Sequence, residues 1–255
     1  MGILSKKLVL YTYFILDIAA ILVKHMIAQL PLNIQLRDDS VLESYYAGEN
    51  TQALQAITAL SRGERESFVY CWGPMGVGRT HLLQAACQEA VLAGIAAVYV
   101  PLCEFTNLDP LMLQGLDNLS LVCVDDIHQI AGKPEWEEGL FHLFNRIRAV
   151  NGKLLISADV SPLHIPIVLA DLKSRLAWGV VYQLQELSDE HKWHALALRA
   201  HCRGLHLNKT VSQFLLSRCS RNMAQLFHSL ELLDNASLAE QRRLTIPFVK
   251  QVLGI

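Results

Sequence analysis

The sequence has no excess of positive charge. Lys and Arg number 22 against 24 Asp and Glu, a net charge of −2 at pH 7, with a pI near 6.5. Duplex affinity rests largely on clustered Lys and Arg, so this balance argues against direct sequence-specific DNA binding. The pair Arg242-Arg243 reads as a solvated helix end. There is also no C-x-x-C pair: Cys71, Cys87, Cys103, Cys123, Cys202 and Cys219 sit mostly inside apolar runs, as reduced thiols of a cytoplasmic protein do. The ten histidines lack a clean metal-ligand spacing. His191, His194, His201, Cys202 and His206 are the densest group, but a helix through this stretch would spread the imidazoles over more than one face, so zinc is not expected. Internal repeats and low-complexity tracts are missing too. What the chain does have is 52% hydrophobic residues over 255 positions, ample for a core in one large domain or two smaller ones.

One apolar run, 8–23, approaches a membrane span in length, but Thr12 and Asp17 interrupt it and it falls short of about 20 residues. Lys6 and Lys7 precede it and Lys24 follows, without a convincing cleavage site. Three readings stay open: translation beginning at Met26, with 1–25 absent from the mature protein; a membrane anchor or signal; or a packed helix.

The chemistry is concentrated in Gly73-Pro74-Met75-Gly76-Val77-Gly78-Arg79-Thr80-His81, between the apolar run Phe68-Val69-Tyr70 and a helical pattern from Leu82. Strand, glycine loop and helix in that order bring backbone N–H groups and the positive end of a helix dipole onto one anion. Gly73 and Gly78 have the spacing of G-x-x-x-x-G-K-[ST], and Thr80 supplies the hydroxyl for Mg²⁺. Arg79 replaces the lysine. Its planar fork binds phosphate in another geometry, so the expectation is a nucleotide site with doubtful hydrolysis of its own.

The second informative stretch is Leu121-Val122-Cys123-Val124-Asp125-Asp126. Four apolar residues make a strand buried on both faces, with the acid pair at its carboxyl end, where open parallel sheets hold ligands. Asp125 is expected to hold Mg²⁺, directly or through water, and Asp126 to orient a water molecule. A further strand over 153–157 ends at Ala158-Asp159, another polar group at a strand end.

Other strands are expected over 95–100 and 180–184, and helices over 51–60, 108–115 and 135–150, the last as a cover without chemistry. From Ser188 the pattern is helical alone, about 189–203, 208–219, 222–239 and 246–253. The fold class is therefore α/β, a parallel sheet flanked by helices, followed by a small all-α domain. The expected division is 1–25, an extension; 26–40, extended peptide and linker; 41–186, nucleotide-binding domain; and 187–255, helical lid. Within the linker, Pro31 blocks helix, and Gln29, Leu30, Leu32 and Ile34 suit capture in a partner's groove.

These segments together resemble the AAA+ ATPases of the DnaA clade, in particular the branch that carries out regulatory inactivation of DnaA. The likeness is carried by 73–81, 121–126, Ala158-Asp159 and 172–179, with Tyr46-Ala47-Gly48-Glu49-Asn50, Leu119-Ser120-Leu121-Val122-Cys123 and Leu244-Thr245-Ile246-Pro247-Phe248-Val249-Lys250. It runs from about Gln29 to the end of the chain. The resemblance implies a P-loop domain binding ADP or ATP with Mg²⁺ through Gly73, Gly76, Gly78, Arg79, Thr80, His81, Asp125, Asp126 and Asp159, the last as first sensor. It implies capture of the β sliding clamp of DNA polymerase III by the peptide around Gln29, Leu30, Leu32 and Ile34. It further implies that Arg175 is an arginine finger acting in trans on ATP held by DnaA, and that arginine is tolerated in the phosphate loop. The clade's second-sensor arginine falls on Ala224, so either Arg221 substitutes or nucleotide sensing is weaker. Homo-oligomerisation stays open. The alternatives are an autonomous AAA+ ATPase acting as a helicase loader, and a membrane-tethered scaffold if 1–25 is retained.

Overall fold

Apolar runs bounded by turn residues become strands, and the longer amphipathic segments between them become helices. The computed structural model describes residues 40–64, 66–105, 108–218 and 222–255. The expectations for 1–25, for Gln29, Leu30, Leu32 and Ile34, and for Arg221 therefore lie outside the described residues. In chain order the elements are α1 (Thr51–Ser61), β1 (Phe68–Trp72), α2 (Arg79–Leu92), β2 (Ala97–Pro101), α3 (Leu102–Phe105), β3 (Leu121–Asp125), α4 (Pro134–Ala149) and β4 (Lys153–Ala158). Then follow α5 (Ala170–Leu176), β5 (Val180–Gln183), α6 (Asp189–Cys202), α7 (Lys209–Arg218), α8 (Met223–Glu240) and α9 (Ile246–Leu253).

All strand pairs are parallel, in the order β2-β3-β4-β1-β5. The register Trp72↔Ala158 and Val124↔Ile156 aligns the carboxyl ends of β1, β3 and β4. The glycine loop, the acid pair and Asp159 therefore emerge at one edge of the sheet. Val69, Tyr70, Cys71, Leu121, Val122, Cys123 and Val124 have no solvent exposure, as strands covered on both faces require. Helix α2 packs on β2, β3 and β4.

Two expected elements come out differently. The strand expected from 95 begins at Ala97, because Ile95 N–H still bonds Ala90 O and Gly94 takes the left-handed cap (φ 75°) that closes α2. In place of a helix over 108–115 there are two 3₁₀ turns, Pro110–Leu113 and Leu116–Asn118. Asp109 caps the first turn at Leu111 N–H, and Gly115 (φ 80°) separates the two.

Helix α4 is more than a cover. Glu137 is 1% exposed and accepts N–H bonds from Gly132, Val168 and Leu169 at 2.7 to 3.2 Å. Leu169 is the N-cap residue of α5, so this carboxylate fixes the approach to the helix that carries Arg175. Glu137→Ala leaves three partly buried N–H donors without their acceptor and is expected to lower stability by about 1–3 kcal/mol in all. Urea denaturation checks this; an unchanged midpoint would contradict the anchoring role.

Among the described residues from Asp189 onward the elements are helices alone, packed on a second core that includes Leu196, Leu215, Leu226, Leu230, Leu233 and Phe248. Ser188, Asn222 and Thr245 cap α6, α8 and α9 through their side-chain oxygens. Among the described residues no helix is long and apolar enough to cross a membrane.

Candidate nucleotide site

The loop from Gly73 to Gly78 turns sharply from β1 into α2 because its glycines occupy conformations closed to other residues. Gly76 and Gly78 have φ of 94° and 93°, and a Cβ on Gly73 would lie 2.7 Å from Leu184 O. A Cβ on Gly78 would lie 2.7 Å from Cε2 of Tyr45, whose hydroxyl donates to Val77 O at 3.2 Å. Helix α2 begins at Arg79, three residues before Leu82, so Arg79, Thr80 and His81 form its first turn. Thr80 is exposed there.

Arg79 reaches back across the loop. Its guanidinium donates to Gly73 O and to Asp126 Oδ1, the latter at 2.9 Å. Asp126, expected to orient a water molecule, is thus already paired with the loop's own cation. Burial and the neighbouring Asp125 raise the Asp126 pKa, against the opposing pull of Arg79 and His128.

Asp125 is 1% exposed, and both its carboxylate oxygens accept hydroxyl bonds: Oδ2 from Tyr99 at 2.7 Å and Oδ1 from Ser157. Burial, then the charge of Asp125, pushes the Tyr99 phenol well above its ordinary value, so it remains a donor. Ser157 Oγ also accepts from Asp126 N–H at 2.9 Å, which holds Asp126 in its left-handed conformation (φ 56°). With both oxygens engaged, Asp125 fits Mg²⁺ through an intervening water better than by direct contact.

His128 lies between two acids, its Nδ1 3.4 Å from Asp159 Oδ1 and 3.9 Å from Asp126 Oδ1. Asp159 is half exposed at the end of β4, and its N–H donates to the same Nδ1 at 3.3 Å. Arg175 is half-buried on α5, and among the described residues its side chain has no ion-pair or hydrogen-bond partner. It does not line the cleft beside the loop.

That cleft, open to solvent and enclosing about 120 Å³, runs between the α/β part and the helical part. Gly76, Gly78 and His81 line it from the loop side, Tyr45 and Tyr46 from the preceding segment, and Lys192, Arg199, Asn222 and Phe227 from the helices. Its aromatic walls and few polar groups have the chemistry of a nucleoside site. His81 lines the cleft, but its ring nitrogens face Val41 O (3.0 Å), Ser44 Oγ (3.3 Å) and Arg199 Nη1 (3.2 Å).

Residues 36–183 match the family described as bacterial DnaA ATPase domain, and residues 189–253 match the Hda lid domain. The chain belongs to the DnaA-related family of AAA+ ATPases. Its α/β part is thus a P-loop AAA+ domain and its helical part an Hda-type lid, the combination of a DnaA-related replication regulator. Solved structures share the fold. Domain III of the Thermotoga maritima replication initiation protein DnaA superposes with a TM-score of 0.75 at 21% identity, covering 86% of this chain and 97% of that one. AMPPCP-bound DnaA from Aquifex aeolicus gives 0.66 at 24%, covering 78% and 66%. The RuvB Holliday junction branch migration motor of Thermotoga maritima gives 0.57 at 15%, covering 82% and 67%.

In this DnaA-related chain Ala224 is exposed in the first turn of α8, where it offers no charge. Lid cations enter the cleft instead from α6: Lys192 and Arg199 stand seven residues apart, two turns, on one face. Sequence reasoning missed both, together with Tyr99, His128 and Ser157. The i, i+7 spacing of Lys192 and Arg199 was the only signal for the cations, and it is indistinguishable from a solvated stripe until the helix is docked.

Proposed function

We propose that this protein is an adaptor bound to an adenine nucleotide, linking the β sliding clamp to DnaA and supplying Arg175 to ATP held by DnaA. DnaA's ATP then becomes ADP, and initiation of replication is restrained. The observation that carries this reading is an arginine on an anchored surface helix, without an intramolecular partner among the described residues, in a chain of the DnaA-related family. A guanidinium directed at a neighbour's γ-phosphate stabilises charge developing on the equatorial oxygens.

The protein's own site supports retention of nucleotide over turnover. Gly73, Gly76 and Gly78 shape the loop around the phosphates, Thr80 would hold Mg²⁺ directly and Asp125 through a water molecule, and Asp159 is the proposed first sensor. Mg²⁺ bound there would neutralise phosphate charge. Asp126, paired with Arg79, is withdrawn from positioning water, so slow hydrolysis in isolation is expected. Rapid ATP turnover by the purified protein, undiminished without DnaA and clamp, would favour a loader-type ATPase instead.

Clamp capture is proposed for Gln29, Leu30, Leu32 and Ile34 by their chemistry: one amide side chain for a polar notch and spaced aliphatics for apolar pockets. Replacing Gln29, Leu30 and Leu32 by Ala is expected to abolish co-purification with the clamp while leaving thermal stability unchanged. Persistent co-purification would remove the clamp from the reading.

A further inference from the structure

His81 and Arg199 are placed to join three separate parts of the chain. His81 stands in the first turn of α2, two residues beyond Arg79. Arg199 comes from the lid helix α6, is 5% exposed, and stacks its guanidinium 5.2 Å above the ring of Phe227 on α8. Ser44 belongs to the segment that precedes α1.

Arg199 Nη1 lies 3.2 Å from His81 Nδ1 and 3.4 Å from Ser44 Oγ. A guanidinium can only donate, so Nδ1 accepts, and the neutral imidazole carries its proton on Nε2. That proton is then directed at Val41 O, 3.0 Å away. Ser44 Oγ in turn donates to Val41 O at 2.9 Å, closing the network. The His81 ring also stacks on Tyr45, centroids 5.8 Å apart, and Tyr45 covers Gly78 and bonds Val77 O. A chain of contacts therefore runs from one lid side chain through His81 and Tyr45 to the phosphate loop.

The geometry points to Arg199 as a positioning residue: a clasp by which the lid holds His81 and the 41–45 segment against the loop, and so controls how long a nucleotide stays. This rests on the nucleotide reading above and adds a residue that the family's second-sensor position, here Ala224, does not supply. Arg199 acts through His81 and is not assigned a contact with the reacting phosphate. Opening the clasp frees Tyr45 to leave Gly78 and the lid to swing from the cleft. Entry of a nucleotide needs no clasp, so the effect falls on release.

Stopped-flow release of a fluorescent methylanthraniloyl ADP from the full chain tests this. Arg199→Met is expected to speed dissociation at least about tenfold with little change in association, and Arg199→Lys, keeping a donor and the charge, to recover part of the difference. Ser44→Ala, which removes a smaller group, should move release in the same direction. Leu230→Ala, deep in the lid core, is the control: it costs about 2–5 kcal/mol of stability but removes no hydrogen-bonding group of the clasp, and should leave release unchanged below its melting transition. Equal acceleration by Leu230→Ala and Arg199→Met, or none by Arg199→Met, would overturn the clasp. Hydrogen exchange of nucleotide-free protein gives a second readout: Arg199→Met should accelerate exchange of the Ser44 and Tyr45 amides, and Leu230→Ala should not. If the wild-type chain binds no adenine nucleotide, the nucleotide reading fails, while the exchange result still decides whether the clasp exists.

Discussion

Arg175→Ala is expected to leave the fold, the nucleotide site and assembly with clamp and DnaA intact while removing nearly all stimulated hydrolysis of DnaA-bound ATP. Arginine fingers in other NTPase systems contribute about 10³–10⁵ in rate, and a loss of at least about 100-fold in stimulation is predicted here. The structural reason for a clean effect lies in α5. Leu172 and Leu176, 1% and 0% exposed, pin the helix to the core, and Glu137 holds its N-cap residue by two bonds to the Val168–Leu169 backbone. The Arg175 backbone is thus fixed by other residues, and Trp178 N–H bonds its carbonyl at 3.0 Å. Truncating the side chain removes no internal ion pair among the described residues. Arg175→Lys keeps the charge without the planar fork and should recover only a small part of the activity. Full stimulation by Arg175→Ala, with co-purification unchanged, would assign the finger elsewhere.

Gly78→Val is expected to cost at least about 100-fold in adenine-nucleotide affinity, read by isothermal titration calorimetry. Two independent penalties act at this position. A φ of 93° is strained for any residue with a Cβ and most of all for a β-branched one, by about 1–3 kcal/mol. The added carbon would also fall 2.7 Å from the Tyr45 ring, which must then move. Relief of either strain withdraws the amides at the start of α2 from the position of the phosphates. About 3 kcal/mol corresponds to the stated loss. Gly204→Ala, at a φ of 73° but with nothing within 4 Å of its Cβ, separates the effects: it should cost stability without touching affinity. Unchanged nucleotide binding by Gly78→Val would mean that the loop does not hold phosphate.

The parts of the site that were legible in the sequence are those whose chemistry leaves a local trace. Gly73 and Gly78 are spaced by the demands of a single turn, and Asp125-Asp126 ends an apolar run that could only be a buried strand. What holds these residues in place left no such trace. Ser157 and Tyr99 are hydroxyl-bearing residues within otherwise apolar strands, and only the parallel register of β3 with β2 and β4 brings them to Asp125. The pairing of Arg79 with Asp126 spans 47 positions, so the expected water-orienting role of Asp126 could not be weighed against it. The burial of Glu137 follows from the chain returning at Val168 and Leu169, which covers it. Arg199 looked like one more charge on an amphipathic helix. Its burial follows from the docking of α6 near Ser44 and His81, a tertiary contact that periodicity does not encode.

The most direct test of the account follows the nucleotide on DnaA in a reconstituted mixture of this protein, β clamp loaded on DNA, and DnaA carrying labelled ATP. The account predicts rapid conversion to DnaA-bound ADP that requires all three components. If the label stays as ATP at DnaA's intrinsic rate, with the added proteins folded and the nucleotide site filled, the proposed adaptor function is contradicted.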